Sequence, residues 1–421
     1  ANALARLGIR PGERIGTLAW NDYRHLEVYF ATACAGFVCH TINPRLFPEQ
    51  IEYIVGHAED RWIFVDPAFV PMLEALKDRL GCVEGYVILG PAGSAANTSL
   101  RNAIDYETLI AGEADTFDWP ELDENSACAL CYTSGTTGNP KGVVYSHRAL
   151  VLHTYGCLMP DVMNLSAREV VMPVVPMFHV NAWSMPYGAA VVGAKLVFPG
   201  PKMGDGEMLQ RLIEGEGVTV TAGVPTVWLA LLTHLDRSGT GVPSLKRVIV
   251  GGSACPRAVM EAFEQKHGVH VHHAWGMTEM SPIGTFNSPS ADFDTLSPEE
   301  QWAQRLRVGR PVYGVEVKIV DATGAELPWD GVSFGALKVR GPWICSEYFR
   351  IGKGDAHDAG GWFETGDVAT TDRRGYVAIT DRTKDVIKSG GEWISSIDLE
   401  NTAVAHPAVA EAAVIGAYHP R

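Results

Sequence analysis

Two kinds of hydrophobic spacing alternate along most of the chain. Short runs of consecutive apolar residues are typical of buried strands, and the stretches between them space apolar residues as an amphipathic helix does. The predicted elements are a strand at 14–19 and a helix opened by Asp22, a helix at 48–56 and a strand at 62–65, a strand at 218–221 and a helix at 225–235, and a strand at 248–250 and a helix at 256–267. This alternation predicts an α/β fold with layered, largely parallel sheets.

The pattern changes after about Arg307, where strand-like stretches separated by turns replace the helices. We predict a β-rich subdomain at about 308–380 within a large N-terminal domain at 1–382. A charged, glycine-ended segment follows it. A helix and a strand are predicted after it, and the family resemblance described below implies that residues 383–421 form a hinge and the beginning of a small α+β C-terminal domain.

Composition narrows the class of protein. The 421 residues are 46% hydrophobic and 20% charged, which is typical of a soluble globular protein. The net charge of −15 argues against nucleic acid as a partner, and no apolar run approaches the ~20 residues of a membrane helix. Eight scattered cysteines favour reduced thiols in the cytoplasm over a disulfide framework. The chain opens without a recognisable signal peptide, and we expect some N-terminal residues to precede Ala1.

A loop dense in glycine and hydroxyl groups follows the apolar run at 127–131. Glycines let consecutive N–H groups turn toward a ligand, the hydroxyls add donors, and Lys141 adds a positive charge, so the loop is predicted to bind polyphosphate. An ordinary polar turn is the simpler alternative. The phosphate loop of common NTPases needs Gly-Lys followed by Ser or Thr, which is absent here, so a kinase or GTPase is disfavoured. The residues of this predicted phosphate loop are Thr133, Ser134, Gly135, Thr136, Thr137, Gly138 and Lys141.

Residues 133–142 resemble the phosphate-binding loop of the adenylate-forming superfamily, which includes acyl-CoA synthetases, peptide-synthetase adenylation domains and firefly luciferase. Four further stretches resemble family motifs in the same order: 176–183, 251–254, 273–279 and 361–367. The closest likeness is to the medium- and long-chain fatty acyl-CoA synthetase branch, which also holds methylmercaptopropionate-CoA ligases. The resemblance implies conversion of a carboxylic acid, ATP and coenzyme A to acyl-CoA, AMP and pyrophosphate, with Mg²⁺ and through an acyl-adenylate.

The resemblance also implies roles for individual residues. The expected catalytic residues are His179, Thr278, Glu279 and Lys384, with Glu279 and Thr133 near the metal and Lys384 at the interdomain hinge. Nucleotide binding is expected from the phosphate loop and from Gly252, Ser253, His273, Ala274, Trp275, Gly276, Thr278, Asp367, Arg382, Lys384, Lys388 and Trp393. The expected acyl pocket comprises Val180, Trp183, Val224, Trp228, Gly251, Met277 and Met280. Lys388, Ser389, Gly390 and Gly391 are expected near coenzyme A.

Simpler interpretations exist for several of these residues. Taken alone, His179 beside Trp183 is typical of a core histidine, and an aspartate after glycine, such as Asp367, is typical of a turn. His270 and His272 suggest zinc, but strand alternation gives them no third ligand on the same face. Trp275 departs from the tyrosine common in the family, although an indole still stacks on adenine.

The expected substrate is an uncharged short- or medium-chain aliphatic or thioether acid, such as 3-(methylthio)propanoate, because no charged side chain falls in the expected pocket. The alternatives are a medium- or long-chain fatty acid, an acyl-AMP ligase that loads a carrier protein, and a non-catalytic nucleotide sensor. The resemblance further implies a homodimer. The family's adenylation lysine lies beyond Arg421, so we expect the chain to be a fragment that lacks it.

Overall fold

The computed structural model describes residues 1–133, 138–352 and 356–382, the backbone of 387–389 and 392–394, and the isolated positions 399, 403, 409, 412, 414 and 415. Its strands are β1 (Arg14–Leu18), β2 (Val38–Thr41), β3 (Trp62–Val65), β4 (Gly85–Ile88), β5 (Ile104–Asp105), β6 (Ala127–Tyr132), β7 (Gly142–Ser146), β8 (Val170–Pro173), β9 (Lys195–Leu196), β10 (Val220–Gly223), β11 (Arg247–Val250), β12 (His270–Gly276), β13 (Ile283–Phe286), β14 (Arg310–Pro311), β15 (Glu316–Val320), β16 (Phe334–Arg340), β17 (Phe363–Thr371), β18 (Val377–Arg382), β19 (Ile387–Ser389) and β20 (Glu392–Ile394).

The α-helices of this part of the chain are α1 (Asn2–Arg6), α2 (Tyr23–Cys34), α3 (Pro48–Ala58), α4 (Val70–Leu76), α5 (Tyr106–Ile110), α6 (His147–Leu158), α7 (Met185–Val192), α8 (Gly206–Glu216), α9 (Pro225–Ser238), α10 (Arg257–His267) and α11 (Pro298–Arg305). Short single turns lie at Pro67–Phe69, Val180–Ser184, Thr278–Met280 and Phe293–Thr295. None of the described helices is both long and apolar enough to span a bilayer.

The first sheet has the strand order β5-β4-β3-β1-β2-β6-β7. Its strands run parallel except β7, which returns antiparallel to β6. Separate apolar clusters cover its two faces, one around Leu18 and Ile63 and the other around Ile15 and Phe64. Burial on both faces explains why β1 and β3 have continuous apolar sequences.

The second sheet has the order β14-β13-β12-β11-β10-β8-β9, parallel from β9 to β12 and antiparallel beyond. A buried cluster that includes Trp228 of α9 and Phe263 of α10 packs against it. The carboxyl ends of β10, β11 and β12 lie at one edge, so the segments that follow these strands are brought together there.

The third sheet consists of the antiparallel strands β15-β16-β17-β18. One continuous core cluster joins it to the other two sheets, with Tyr145 from β7, Ile249 from β11 and Phe363 from β17. In the last pair of strands, Asp367 lies opposite Arg382. Beyond it, β19 and β20 form a two-stranded antiparallel hairpin.

The structure confirms the α/β class and most of the predicted elements. The strand predicted at 62–65 has the predicted limits, and the predicted opening of the first long helix is the N-cap Asp22, whose carboxylate accepts the His25 N–H at 2.8 Å. The strand predicted at 218–221 was placed too early, because α8 ends at a left-handed Gly217 and pairing begins only at Val220. The third sheet overlaps the predicted β-rich segment and continues to Arg382.

Candidate active site

The edge where β10, β11 and β12 end carries the residues of the candidate site. Val224 follows β10, Gly251 to Ser253 follow β11, and the turn Thr278–Met280 follows β12. Gly252, Ser253 and Gly276 are exposed, whereas Thr278 and Glu279 are each only 7% exposed. This edge of the sheet therefore combines exposed backbone groups with buried polar side chains.

Glu279 is the buried carboxylate of this edge. The Tyr348 phenol donates to Glu279 Oε1 at 2.8 Å, and the Cys345 N–H donates to the Glu279 carbonyl at 2.8 Å. Burial raises the pKa of Glu279, and the Tyr348 hydrogen bond and the charges of Lys141 and Arg382 oppose that rise. The two nearby cations thus favour the ionised carboxylate.

The surroundings of Glu279 fit Mg²⁺. This ion takes one or two protein carboxylates and completes its octahedral shell with phosphate oxygens and water. A carboxylate has about four acceptor positions, so the Tyr348 bond leaves room for a metal. Among the described residues no three His, Cys, Asp or Glu side chains converge, so nothing there forms an all-protein cage.

Asp367 is the second buried carboxylate, 8% exposed, and it lies on β17. The Trp275 indole N–H donates to Asp367 Oδ2 at 2.9 Å, and Arg382 Nε lies 3.7 Å from Asp367 Oδ1. Burial raises the pKa of Asp367, the Trp275 bond and Arg382 lower it, and the charge of Glu279 raises it further. The charge of Glu279 thus acts on Asp367, and the charge of Arg382 acts on both carboxylates.

The described ends of the phosphate loop close on each other. The Thr133 N–H donates to the Lys141 carbonyl at 3.0 Å, and the Lys141 N–H donates to Thr133 Oγ1 at 3.0 Å. Lys141 is exposed, and its ammonium lies 4.7 Å from the centre of the Tyr348 ring. Gly138 is also exposed. Ser134, Gly135, Thr136 and Thr137 lie outside the described residues.

His179 immediately precedes an unusual turn. Val180, Asn181, Ala182, Trp183 and Ser184 all have left-handed φ angles, between 43° and 60°. His179 is exposed to solvent. Desolvation by the surrounding protein and the charge of Arg45 lower the pKa of His179, which favours the neutral imidazole. His179 is therefore not a fully enclosed core histidine.

Trp183 packs onto the bare backbone of Gly251. A Cβ at Gly251 would lie 2.7 Å from Trp183 Cη2 and 3.0 Å from the Ala274 carbonyl, so a side chain there would have to displace the indole. Val224 approaches Gly252 in the same way, at 3.2 Å from a Cβ built there. Trp183 and Val224 thus both pack against the glycine turn that follows β11.

The predicted acyl-pocket residues fall into two cores. Val180, Trp183, Gly251, Met277 and Met280 lie in or against the core shared by the three sheets, and Val224 is 37% exposed beside them. Trp228 is fully buried in the separate core of the second sheet, against Gly223 and Phe263. Trp228 packs among residues of the second-sheet core instead of beside Trp183.

The histidines before the β12 turn have partners within the protein. His273 donates from Nε2 to the Ser253 carbonyl at 3.4 Å, which links β12 to the glycine turn after β11. His272 bonds the Asn287 carbonyl at 2.8 Å, and His270 pairs with Glu264 at 3.3 Å. Ala274 is buried beside them. Each of the three histidines thus has at least one hydrogen-bond or ion-pair partner within the protein.

The remaining predicted residues belong to the last part of the chain. Lys384, Gly390 and Gly391 lie outside the described residues. Lys388, Ser389 and Trp393 are described by backbone alone, with Lys388 opposite Trp393 in the hairpin of β19 and β20. Their predicted roles near the hinge and coenzyme A stay predictions.

Two contributors to the site were missed by the sequence analysis. Tyr348 reaches Glu279 from 69 residues away, and no local pattern marks it. Asn21 is fully buried and donates to the carbonyls of Pro173 and Val175 at 2.9 Å each, while it accepts the Met177 N–H at 2.6 Å. It thereby fixes the segment that leads to His179. Its only local signal was a lone amide three residues after the apolar strand β1.

Comparison with known proteins identifies the family. The family model described as AMP-binding enzyme matches residues 1–349, and the chain belongs to this family. The predicted superfamily is thereby confirmed, as is the prediction of an AMP-forming acid–thiol ligase that uses ATP, Mg²⁺ and coenzyme A.

Two relatives and one solved structure are similar to this chain over nearly all of its length. The chain is 54% identical over 420 residues to a 3-methylmercaptopropionyl-CoA ligase of Ruegeria lacuscaerulensis, covering 100% of this chain and 78% of the relative. It is 52% identical over 421 residues to a medium-chain-fatty-acid–CoA ligase of Ectopseudomonas oleovorans, covering 100% of this chain and 77% of that protein. The crystal structure of an anthranilate CoA ligase with anthranoyl-AMP matches with a TM-score of 0.87 at 28% identity, over 99% of this chain and 77% of that chain.

Proposed function

We propose that this acyl-CoA synthetase activates an uncharged short- or medium-chain aliphatic or thioether acid, such as 3-(methylthio)propanoate. The observation that carries the proposal is the Trp183 indole packed on Gly251, where an added Cβ would lie 2.7 Å from Trp183 Cη2. We infer that this indole shortens the acyl pocket. Val224, Met277 and Met280 give the same region an apolar, polarisable lining that suits a thioether. The 54% identity to a ligase named for 3-methylmercaptopropionate supports the same class of acid.

In the first half-reaction the substrate carboxylate attacks the α-phosphorus of ATP, and pyrophosphate leaves. Two anions approach each other, so the site must supply fixed positive charge and hydrogen-bond donors. Lys141 offers the charge beside the phosphate loop, and Thr278 lies at the α-phosphate. Glu279 and Thr133 would hold Mg²⁺, which supplies charge neutralisation on the phosphate oxygens when it is bound.

The nucleoside is held on the other side of Glu279. Trp275 is half-buried and stacks on adenine, with His273, Ala274 and Gly276 at the edge of the ring. Asp367 accepts hydrogen bonds from both ribose hydroxyls, and Arg382 stands beside it. Neutral His179 borders the carboxylate, where a protonated histidine would pair with the attacking oxygen and weaken it as a nucleophile.

In the second half-reaction the thiol of coenzyme A attacks the acyl carbonyl of the acyl-adenylate and AMP leaves. We assign residues 1–382 to the nucleotide-binding domain and 383–421 to the hinge and the beginning of a mobile C-terminal domain. Lys384 is the pivot, and Lys388, Ser389, Gly390 and Gly391 approach coenzyme A. Closure of such a domain excludes water from the labile mixed anhydride.

We also propose that the enzyme acts in the cytoplasm as a homodimer. The proposal rests on the likeness to the fatty acyl-CoA synthetase branch. Light scattering of the purified full-length protein measures the mass directly. A monomer at micromolar concentration would contradict it.

An acid panel tests the substrate proposal. Full-length enzyme is assayed for AMP release with saturated acids from acetate to palmitate and with 3-(methylthio)propanoate, and Glu279→Gln serves as the inactive control. The proposal expects kcat/KM to peak at short or medium acids, with the thioether acid among the best. A maximum at palmitate would contradict the short pocket.

The same panel separates the rival functions when the thioester product is also measured. Acyl-CoA formed from free coenzyme A supports the synthetase. Acyl-adenylate without thioester would indicate a ligase that loads a carrier protein. Absence of pyrophosphate with every acid would indicate a nucleotide sensor.

A further inference from the structure

We propose that Tyr348 is a positioning residue that couples the phosphate loop to the metal-binding carboxylate. Its phenol donates to Glu279 Oε1 at 2.8 Å, and its ring face lies 4.7 Å from the Lys141 ammonium. One side chain therefore contacts both the proposed Mg²⁺ ligand and the proposed phosphate-binding cation. The inference rests on the proposed function of those two residues.

The backbone around Tyr348 is tied to the same two elements. The Cys345 N–H donates to the Glu279 carbonyl at 2.8 Å, and the Phe349 N–H donates to the Gly142 carbonyl at 2.8 Å, directly after Lys141. Tyr348 itself is 7% exposed, and its N–H donates to the Gly352 carbonyl at 3.1 Å. The segment 345–349 thus spans from the carboxylate to the end of the loop and leaves the phenol little freedom.

The hydroxyl and the ring of Tyr348 have separable effects. A phenol that donates to a carboxylate forms a charge-assisted hydrogen bond, which fixes one oxygen and so presets the direction of the other toward the metal. The electron-rich ring face attracts the Lys141 ammonium and holds it over the site before phosphate arrives. A tyrosine that merely filled space would need neither contact.

Two variants of the full-length protein separate the effect of the Tyr348 hydroxyl from that of its ring. Tyr348→Phe removes the hydroxyl and keeps the ring, whereas Tyr348→Leu removes both. Tyr376→Phe is the control, because Tyr376 is also buried and its hydroxyl donates to a backbone carbonyl, that of Ser288, instead of to Glu279. ATP binding is measured by calorimetry with and without Mg²⁺, and the Mg²⁺ concentration for half-maximal AMP release is measured beside it.

We expect Tyr348→Phe to weaken ATP binding about tenfold in the presence of Mg²⁺, since the lost bond is to a charged group, and to leave metal-free ATP binding unchanged. The half-maximal Mg²⁺ concentration should rise by a similar factor, while KM for the acid stays constant. Tyr348→Leu should in addition weaken metal-free binding about two- to fivefold through the lost cation–π contact. Tyr376→Phe should change none of these quantities.

A Tyr348→Phe protein with wild-type Mg²⁺ dependence would overturn the proposal. So would an equal loss of ATP binding with and without metal, which a general structural role predicts. Calorimetry needs neither acid nor coenzyme A, so its result stands even if the proposed substrate proves wrong. If the wild-type protein binds no ATP, the proposed function fails before Tyr348 is tested.

Discussion

Trp183→Ala should allow the enzyme to accept acids with longer chains. The indole is 8% exposed and packs against Gly251, so its removal opens space inside the pocket. Each methylene that enters this space contributes about 0.8 kcal/mol. Since tenfold in rate corresponds to about 1.4 kcal/mol, kcat/KM should rise about fourfold for each added methylene until the new space is full.

The assay is kcat/KM for AMP release across saturated acids, plotted against chain length for wild type and variant. Truncation of a buried tryptophan costs about 3–5 kcal/mol of stability, so Trp183→Leu provides a milder second variant. Gly251→Ala acts in the opposite direction, because its Cβ would lie 2.7 Å from Trp183 Cη2 and push the indole into the pocket. It should favour shorter acids.

Trp228→Phe is the matched control for the pocket. Trp228 lies in the core of the second sheet, so its replacement should lower the melting temperature and leave the chain-length profile in place. Equal shifts in both tryptophan variants would instead support the sequence-based assignment of Trp228 to the pocket. An unchanged profile in Trp183→Ala and Trp183→Leu would refute the reasoning about Trp183.

Three further predictions concern the nucleotide site and stability. Trp275→Phe keeps a stacking ring but removes the 2.9 Å hydrogen bond to Asp367. Because hydrogen bonds to charged groups contribute about 1.5–3 kcal/mol, KM for ATP should rise about tenfold with little change in kcat. An unchanged KM for ATP would contradict this prediction. Glu279→Gln should lower pyrophosphate release at least about 100-fold, and chelation of Mg²⁺ should inhibit wild type equally, whereas a fully active variant would remove Glu279 from the metal site. Burial lowers the pKa values of His25 and His272 to about 4, so below about pH 6.5 the unfolded chain binds protons that the folded chain does not. The free energy of unfolding should therefore fall by up to about 1.4 kcal/mol per pH unit for each histidine, down to about pH 4. A melting temperature that stays constant from about pH 6.5 to about pH 4 would contradict this prediction.

Features that lie within a single strand, helix or loop could be predicted from the local sequence. Strands such as Trp62–Val65 are buried on both faces and therefore have continuous apolar sequences, and Asp22 marks a helix start by its own capping bond. The phosphate loop belongs to a compact stretch whose residue types predict phosphate binding without knowledge of the fold, whereas the predicted role of Glu279 came from the family resemblance.

Contacts between distant elements could not be predicted. Tyr348 meets Glu279 across 69 residues, and hydrophobic periodicity carries no information about such a pairing. The left-handed turn at Val180–Ser184 contains no glycine, so composition gives no sign of it. Nothing in the local sequence separates Val224 from Trp228, although Val224 is exposed and Trp228 is buried in the core of the second sheet.

The central claim is that one nucleotide occupies the cleft formed by Lys141, Trp275, Glu279 and Asp367. A crystal structure of the full-length protein with ATP and Mg²⁺ measures this most directly. The account predicts adenine against Trp275, the ribose hydroxyls on Asp367, and the metal between Glu279 and the phosphates. A nucleotide bound with its phosphates away from Glu279, or its ribose away from Asp367, would contradict it.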